Sequence, residues 1–155
     1  MMTHWIASLL TAATLAASSP TGPQWNNDYG DALESTRATA RPLLIVIESP
    51  SDDSSRFLPA RFAPDETGEE LLKPYELCRI DIDTSYGQRV AEAFQVTQFP
   101  YTAIIDKAGR KIIFRKSGRI SASQWAATLI AYRAGQSLPL NGGPQAKKNE
   151  ADCFT

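Results

Sequence analysis

Apolar residues in this chain gather in short clusters, and their spacing changes from one cluster to the next. Tyr29, Ala32, Leu33, Thr36 and Ala40 recur at helical spacing. They predict a helix that starts near Trp25–Tyr29, is capped by Asn26 or Asn27 and ends at Arg41-Pro42. Leu43–Ile47 is apolar without a break and rich in β-branched residues. That pattern predicts a strand buried on both faces, as in a parallel sheet. The polar segment Ser49–Arg56 follows, and a short helix is expected to begin in it, kept short by Pro59 and Pro64. Asp65–Lys73 predicts a further helix with Leu71 and Leu72 inward, stopped by Pro74. Leu77–Ile82 reads as a second strand.

Ser85-Tyr86-Gly87-Gln88 fits a capping box for a helix running to Phe94, with Tyr86, Val90, Ala93 and Phe94 on one face. Phe99-Pro100 leads into a strand over Thr102–Ile105. Asp106–Arg110 is a hairpin loop in which Gly109 tolerates positive φ, and Lys111–Phe114 pairs back. Ser121–Gln124 caps a last helix with Ala122, Trp125, Leu129 and Tyr132 facing the core, and Gly135 stops it. Two parallel strands with helical crossovers, followed by an antiparallel hairpin, predict an α/β three-layer sandwich. Its mixed four-stranded sheet carries helices on both faces.

The ends of the chain read differently. Ile6–Ala17 is an apolar run of secretory length with small residues at Ala16-Ala17-Ser18, although Met1–Trp5 holds no Lys or Arg. Residues 1–18 are therefore expected to be a signal peptide and the protein to be exported, to a periplasm or outside the cell. Whether the segment is cleaved or kept as an anchor stays open. With cleavage, no stable membrane insertion is expected. Residues 19–24 are a linker by composition, 25–136 the domain, and 137–155 a Gly/Pro/Lys/Asn-rich tail expected to be disordered.

The Ser/Asp-rich segment carries the main functional clue. Pro50-Ser51-Asp52-Asp53-Ser54-Ser55-Arg56 follows a buried strand, and Val96-Thr97-Gln98-Phe99-Pro100-Tyr101 comes later. Trp25, Asp28-Tyr29, Ala32-Leu33 and Arg41–Leu44 precede both. Over roughly Trp25–Ala134 this layout resembles the thioredoxin superfamily, in particular its secreted thioredoxin-like domains. The resemblance implies a thioredoxin-like fold, a cis-proline at Pro100 facing the motif, and a Cys-x-x-Cys at the positions held by Asp52 and Ser55. Pro50 and Arg56 match the family, and Arg79 matches a basic residue of the second strand. The buried acid of the family's first strand falls on Val46, and the aromatic before the motif on Ser51. A thioredoxin-like domain without its dithiol is thus implied.

Dithiol chemistry needs a thiolate at a helix start and a second thiol to resolve the mixed disulfide. Oxygen side chains at 52 and 55 do neither. Asp52, Asp53, Ser54 and Ser55 are simplest as capping groups that accept backbone N–H bonds. No catalytic residue, cofactor or metal is called for. A lone pair of aspartates is a poor metal site, His4 is the only histidine, and no Gly-rich phosphate loop occurs. Asp81-Ile82-Asp83 before Thr84-Ser85 reads as turn and cap chemistry. Lys107, Arg110, Lys111, Arg115, Lys116 and Arg119 form a basic hairpin region. It lacks aromatic interleaving beyond Phe114, and the net charge is -1, so a solvated edge is expected and no nucleic acid.

Cys78 is expected to be a small buried residue, and Cys153 lies in the tail. The expected function is an exported, redox-inactive module binding a protein or peptide. Its candidate groove is Ser51, Phe99, Pro100 and Tyr101, where the resemblance implies backbone pairing with an extended segment. Two alternatives remain: a thiol-disulfide oxidoreductase working through Cys78 or Cys153, and a chaperone-like binder of unfolded chains through the Phe99 loop.

Overall fold

The computed structural model describes residues 23–56 and 66–138. The expected signal peptide, most of the linker, Pro59 and Pro64, Cys153 and nearly all of the tail lie outside those residues.

The elements in chain order are β1 (Trp25–Asn26), α1 (Tyr29–Thr39), β2 (Leu43–Glu48), α2 (Glu66–Leu72), β3 (Glu76–Asp81), α3 (Ser85–Ala93), β4 (Tyr101–Ile105), β5 (Ile112–Ser117) and α4 (Ala122–Tyr132). The sheet order is β1-β3-β2-β4-β5. β3 runs parallel to both β1 and β2, while β4 is antiparallel to β2 and β5 to β4. The fold class is the expected α/β sandwich, but the sheet has five strands instead of four. The extra strand is Trp25–Asn26, paired with Leu77 and Cys78. Two residues are too few for alternation to register, and only the edge of β3 makes them a strand.

All six residues of β2 are buried, because both faces of the sheet are covered. On one face Leu43, Ile45 and Ile47 pack with Ala32 of α1 and Val90 and Ala91 of α3. On the other, Leu44 and Val46 pack with Leu72 of α2 and Trp125 and Leu129 of α4. The Tyr75 hydroxyl donates to the Leu129 carbonyl at 2.7 Å, tying the entry of β3 to α4, and burial raises its pKa.

Helix ends follow local chemistry, with some caps displaced from the expected residue. α1 is capped by Asp28, whose carboxylate accepts from Asp31 N–H, and Asn26 instead accepts from Asp28 N–H. Thr84 caps α3 in place of Ser85. Ser121 and Gln124 form the expected reciprocal box on α4. Ala40, Ala93 and Ala122 are exposed, so the buried faces are narrower than the spacing implied, and Ala91 takes the inward place on α3. Gly109 and Gly135 have φ of 65° and 63°, as a hairpin turn and a helix stop require.

Candidate functional site

β2 delivers the Ser/Asp-rich segment to one end of the central strands, and Phe99-Pro100 leads into β4 at the same end. The β2–β4 register ends at Ile47 opposite Tyr101, which sets Glu48 beside Pro100. The Phe99–Pro100 bond is cis. Gly118 N–H donates to the Pro100 carbonyl at 2.8 Å. The neighbouring Arg119 donates to the carbonyls of Asp53 (2.7 Å) and Ser54 (3.4 Å). Acidic loop, proline loop and the end of β5 therefore meet at one place.

The acidic loop is turns, not the start of a helix, throughout its described part, Ser49–Arg56. Residues 57–65, which follow it, lie outside the described residues. The loop closes on itself: Ser49 N–H donates to the Ser55 carbonyl, Asp52 N–H to Ser49 and Ser55 N–H to Asp52. The Asp52 carboxylate accepts Ser54 N–H at 2.9 Å, both its oxygens accept the Ser54 hydroxyl, and Oδ2 accepts the Ser55 hydroxyl at 2.7 Å. It is an Asx-type turn anchor in place of a helix cap. Those bonds, with Ser54 contributing most, hold its pKa below the ordinary aspartate value. Arg56 folds back onto the Pro50 carbonyl and pairs with Asp53 at 3.3 Å.

Asp83 braces the loop from the end of β3. Its Oδ1 accepts the Ser49 hydroxyl at 2.8 Å and its Oδ2 accepts Ser51 N–H at 3.2 Å. The Ser51 and Ser49 bonds depress its pKa. The remainder of the Asp81–Thr84 stretch is turn and cap as its sequence suggests: Asp81 accepts Asp83 N–H, and Thr84 accepts Gly87 N–H.

Sequence reasoning missed Glu48. It is 2% exposed and pairs with Arg79, Nε to Oε1 at 2.8 Å. Arg79 in turn lies over the Trp25 ring, 5.4 Å from its centroid. A buried acid thus exists under the loop, two residues beyond Val46 and with a counter-charge beside it. The signal was present in the apolar run ending Ile47-Glu48 together with a lone Arg in the neighbouring strand.

The proposed groove residues differ in what they offer. Ser51 is exposed, Phe99 is partly buried against the core on the α1/α3 face, and Pro100 is buried. Tyr101 is 4% exposed, so its ring belongs to the core and not to an open groove. Among the described residues, none accepts from Phe99 N–H and none donates to its carbonyl. Cys78 is wholly buried in β3, and burial pushes its thiol up to about 12. Among the described residues no group of three or more His, Cys, Asp or Glu side chains stands as a metal site, and no helix is long and apolar enough to cross a membrane.

Several solved structures share this architecture. A thioredoxin from Thermus thermophilus is 20% identical, the match covering 74% of this chain and 92% of that one with a TM-score of 0.61. A thioredoxin from Malassezia sympodialis is 15% identical over 77% and 99% of the two chains, with a TM-score of 0.56. Chloroplastic thioredoxin z is 21% identical over 76% and 100%, with a TM-score of 0.54. Identities this low speak for the fold alone. No curated protein matches the sequence. The family model described as thioredoxin-like matches residues 24–107, more than half of the chain, and the chain belongs to that thioredoxin-like family.

Proposed function

We propose that this thioredoxin-like domain is exported and redox-inactive, and that it binds an extended segment of a protein or peptide at the Phe99 loop. The observation that carries the proposal is the pairing of two neighbours. At the positions implied for the dithiol stand Asp52 and Ser55, bonded to each other. Beside them the Phe99 backbone is left without a partner among the described residues. An extended peptide satisfies such a backbone by adding main-chain hydrogen bonds, and side-chain contacts then give selectivity. Ser51, where the resemblance implies an aromatic, is small and exposed. Export rests on the apolar run Ile6–Ala17 and the small residues that follow.

Reduction of disulfides through Cys78 is disfavoured by the same chemistry that buries it. A thiol held near 12 is almost wholly protonated at neutral pH, and the thiolate is the nucleophile.

Two measurements test the proposal. Titration with extended peptides from the exported fraction should show capture that Phe99→Ala weakens by about tenfold, at one lost anchor of roughly 1–2 kcal/mol, with the fold intact by circular dichroism. Equal capture by the folded variant would show that the ring is no anchor, and capture that also survives N-methylation of alternate peptide nitrogens would move binding elsewhere. Insulin reduction should stay at background for the wild type and rise, weakly, only in Asp52→Cys with Ser55→Cys. Reduction by the wild type as fast as by that double variant would rule out redox inactivity.

A further inference from the structure

Among the described residues β5 is the outer strand of the sheet, and one side of its backbone has no neighbouring strand there. On the α1/α3 face a groove of about 380 Å³ lies between β5 and the end of α3. Tyr29, Phe94 and Ile112 supply apolar wall, and Arg110, Lys111 and Arg115 are cations lining the same groove. Ile112 is 44% exposed; Ile130 and Leu138 are more exposed still, but of the three only Ile112 lines this groove. The three cations are exposed, and none has a carboxylate within ion-pair distance among the described residues. Asp106 is close in the chain, but its Oδ1 accepts the backbone N–H groups of Arg110 (2.7 Å) and Lys111 (3.0 Å).

Edge strands carry charge to repel other strands. A one-sign edge repels basic segments, gives neutral ones nothing to offset the desolvation of its charges and selects an acidic one, because specificity comes from what is rejected as much as from what is held. Charge complementarity therefore names the occupant. We infer that the β5 edge takes an extended, acidic segment of a partner protein as a sixth strand. Carboxylates of that segment meet Arg110, Lys111 and Arg115, and an apolar side chain covers Ile112. The inference does not depend on the Phe99 loop, which lies off the opposite end of β5, beside Gly118.

The test uses the full chain and a labelled strand-forming peptide with Glu and Val together on one face and Thr on the other (Glu-Thr-Val-Thr-Glu-Thr-Glu), followed by fluorescence anisotropy. Saturable binding is expected, weakening several-fold as salt screens the exposed charges. Lys111→Glu with Arg115→Glu should weaken it by about tenfold or more, since each reversal turns an attraction into a repulsion. Lys111→Ala with Arg115→Ala removes the attraction alone and serves if the reversal disturbs folding. N-methylation of alternate peptide nitrogens should also weaken binding, because strand addition needs those donors. Absence of binding to the wild type overturns the inference, as does equal binding of a Lys/Val peptide, of either double variant or of the N-methylated peptide. Anionic vesicles bound in place of the peptide, or a dimer in sedimentation lost in the same variants, would give the edge to a membrane or a second copy and overturn it too.

Discussion

The acidic loop and the proline loop sit at the same end of the central strands, and they are built in opposite ways. Ser49–Arg56 spends its polar groups on itself and on two braces, Asp83 and Arg119. The Phe99 backbone spends nothing on the described residues around it. A loop whose donors and acceptors are already matched gains little from a partner, whereas an open backbone segment gains hydrogen bonds on contact. Under the proposed function the first loop is support and the second the recognition surface.

The largest effect should come from beneath the acidic loop. Arg79→Ala takes the guanidinium counter-charge from Glu48, which is almost fully buried, while Arg79 itself is 34% exposed. The cost should be about 3 kcal/mol, at the low end for a broken buried pair because one partner reaches water. A urea melt measures it. A shift under about 1 kcal/mol would mean that the pair behaves as a surface one and that Glu48 does not anchor the loop.

Gly87→Ala comes next. A Cβ there would stand 1.9 Å from the Asp81 carbonyl oxygen, a backbone atom that cannot swing aside. The start of α3 must move off the Asp81–Asp83 turn, at roughly 1–3 kcal/mol for overpacking, and the Asp83 brace moves with it. Amide exchange should then quicken at Ser49 and Ser51 more than at Gly118, whose N–H is held by the Pro100 carbonyl. Equal quickening at both loops would show that they are one unit.

Arg119→Ala should cost less, under about 1 kcal/mol for hydrogen bonds made at an exposed surface. It removes the donors that join the end of β5 to Asp53 and Ser54. Chemical-shift changes should concentrate at 52–55, and peptide capture by the Phe99 loop should hold. Loss of capture would make the acidic loop part of the recognition surface.

The smallest effect is the pH response. Asp52 and Asp83 both titrate below the ordinary value of 3.8 in the folded protein, through hydrogen bonds led by Ser54 and by Ser51. Depressed acids stabilise the fold above their unfolded value and lose that contribution as pH falls through the folded one. The acidic loop should therefore loosen only below about pH 4, seen as carboxyl titrations in NMR, with Phe99 unaffected over the same range. Midpoints above 3.8 would show that the serine bonds do not form in solution.

Much of the fold is local in origin and legible along the chain. The unbroken run Leu43–Ile47 demands burial on both faces, and burial on both faces demands helices above and below. Ser121 with Gln124 sets the start of α4 within four residues. What escaped was decided between distant residues. Trp25–Asn26 becomes a strand only because β3 presents an edge. Asp83 braces Ser51 from 32 positions away in the chain, and Glu48 tolerates burial because Arg79 comes alongside in the next strand. Tyr101 turned inward because its place on β4 faces the core. The sequence by itself determined the order of elements, the covered sheet and the absence of thiols from the loop after β2, since these follow from periodicity, capping and residue identity along the chain. Only the tertiary structure decided which polar groups are satisfied and which remain open, because a hydrogen bond or an ion pair depends on where the folded backbone places its second partner.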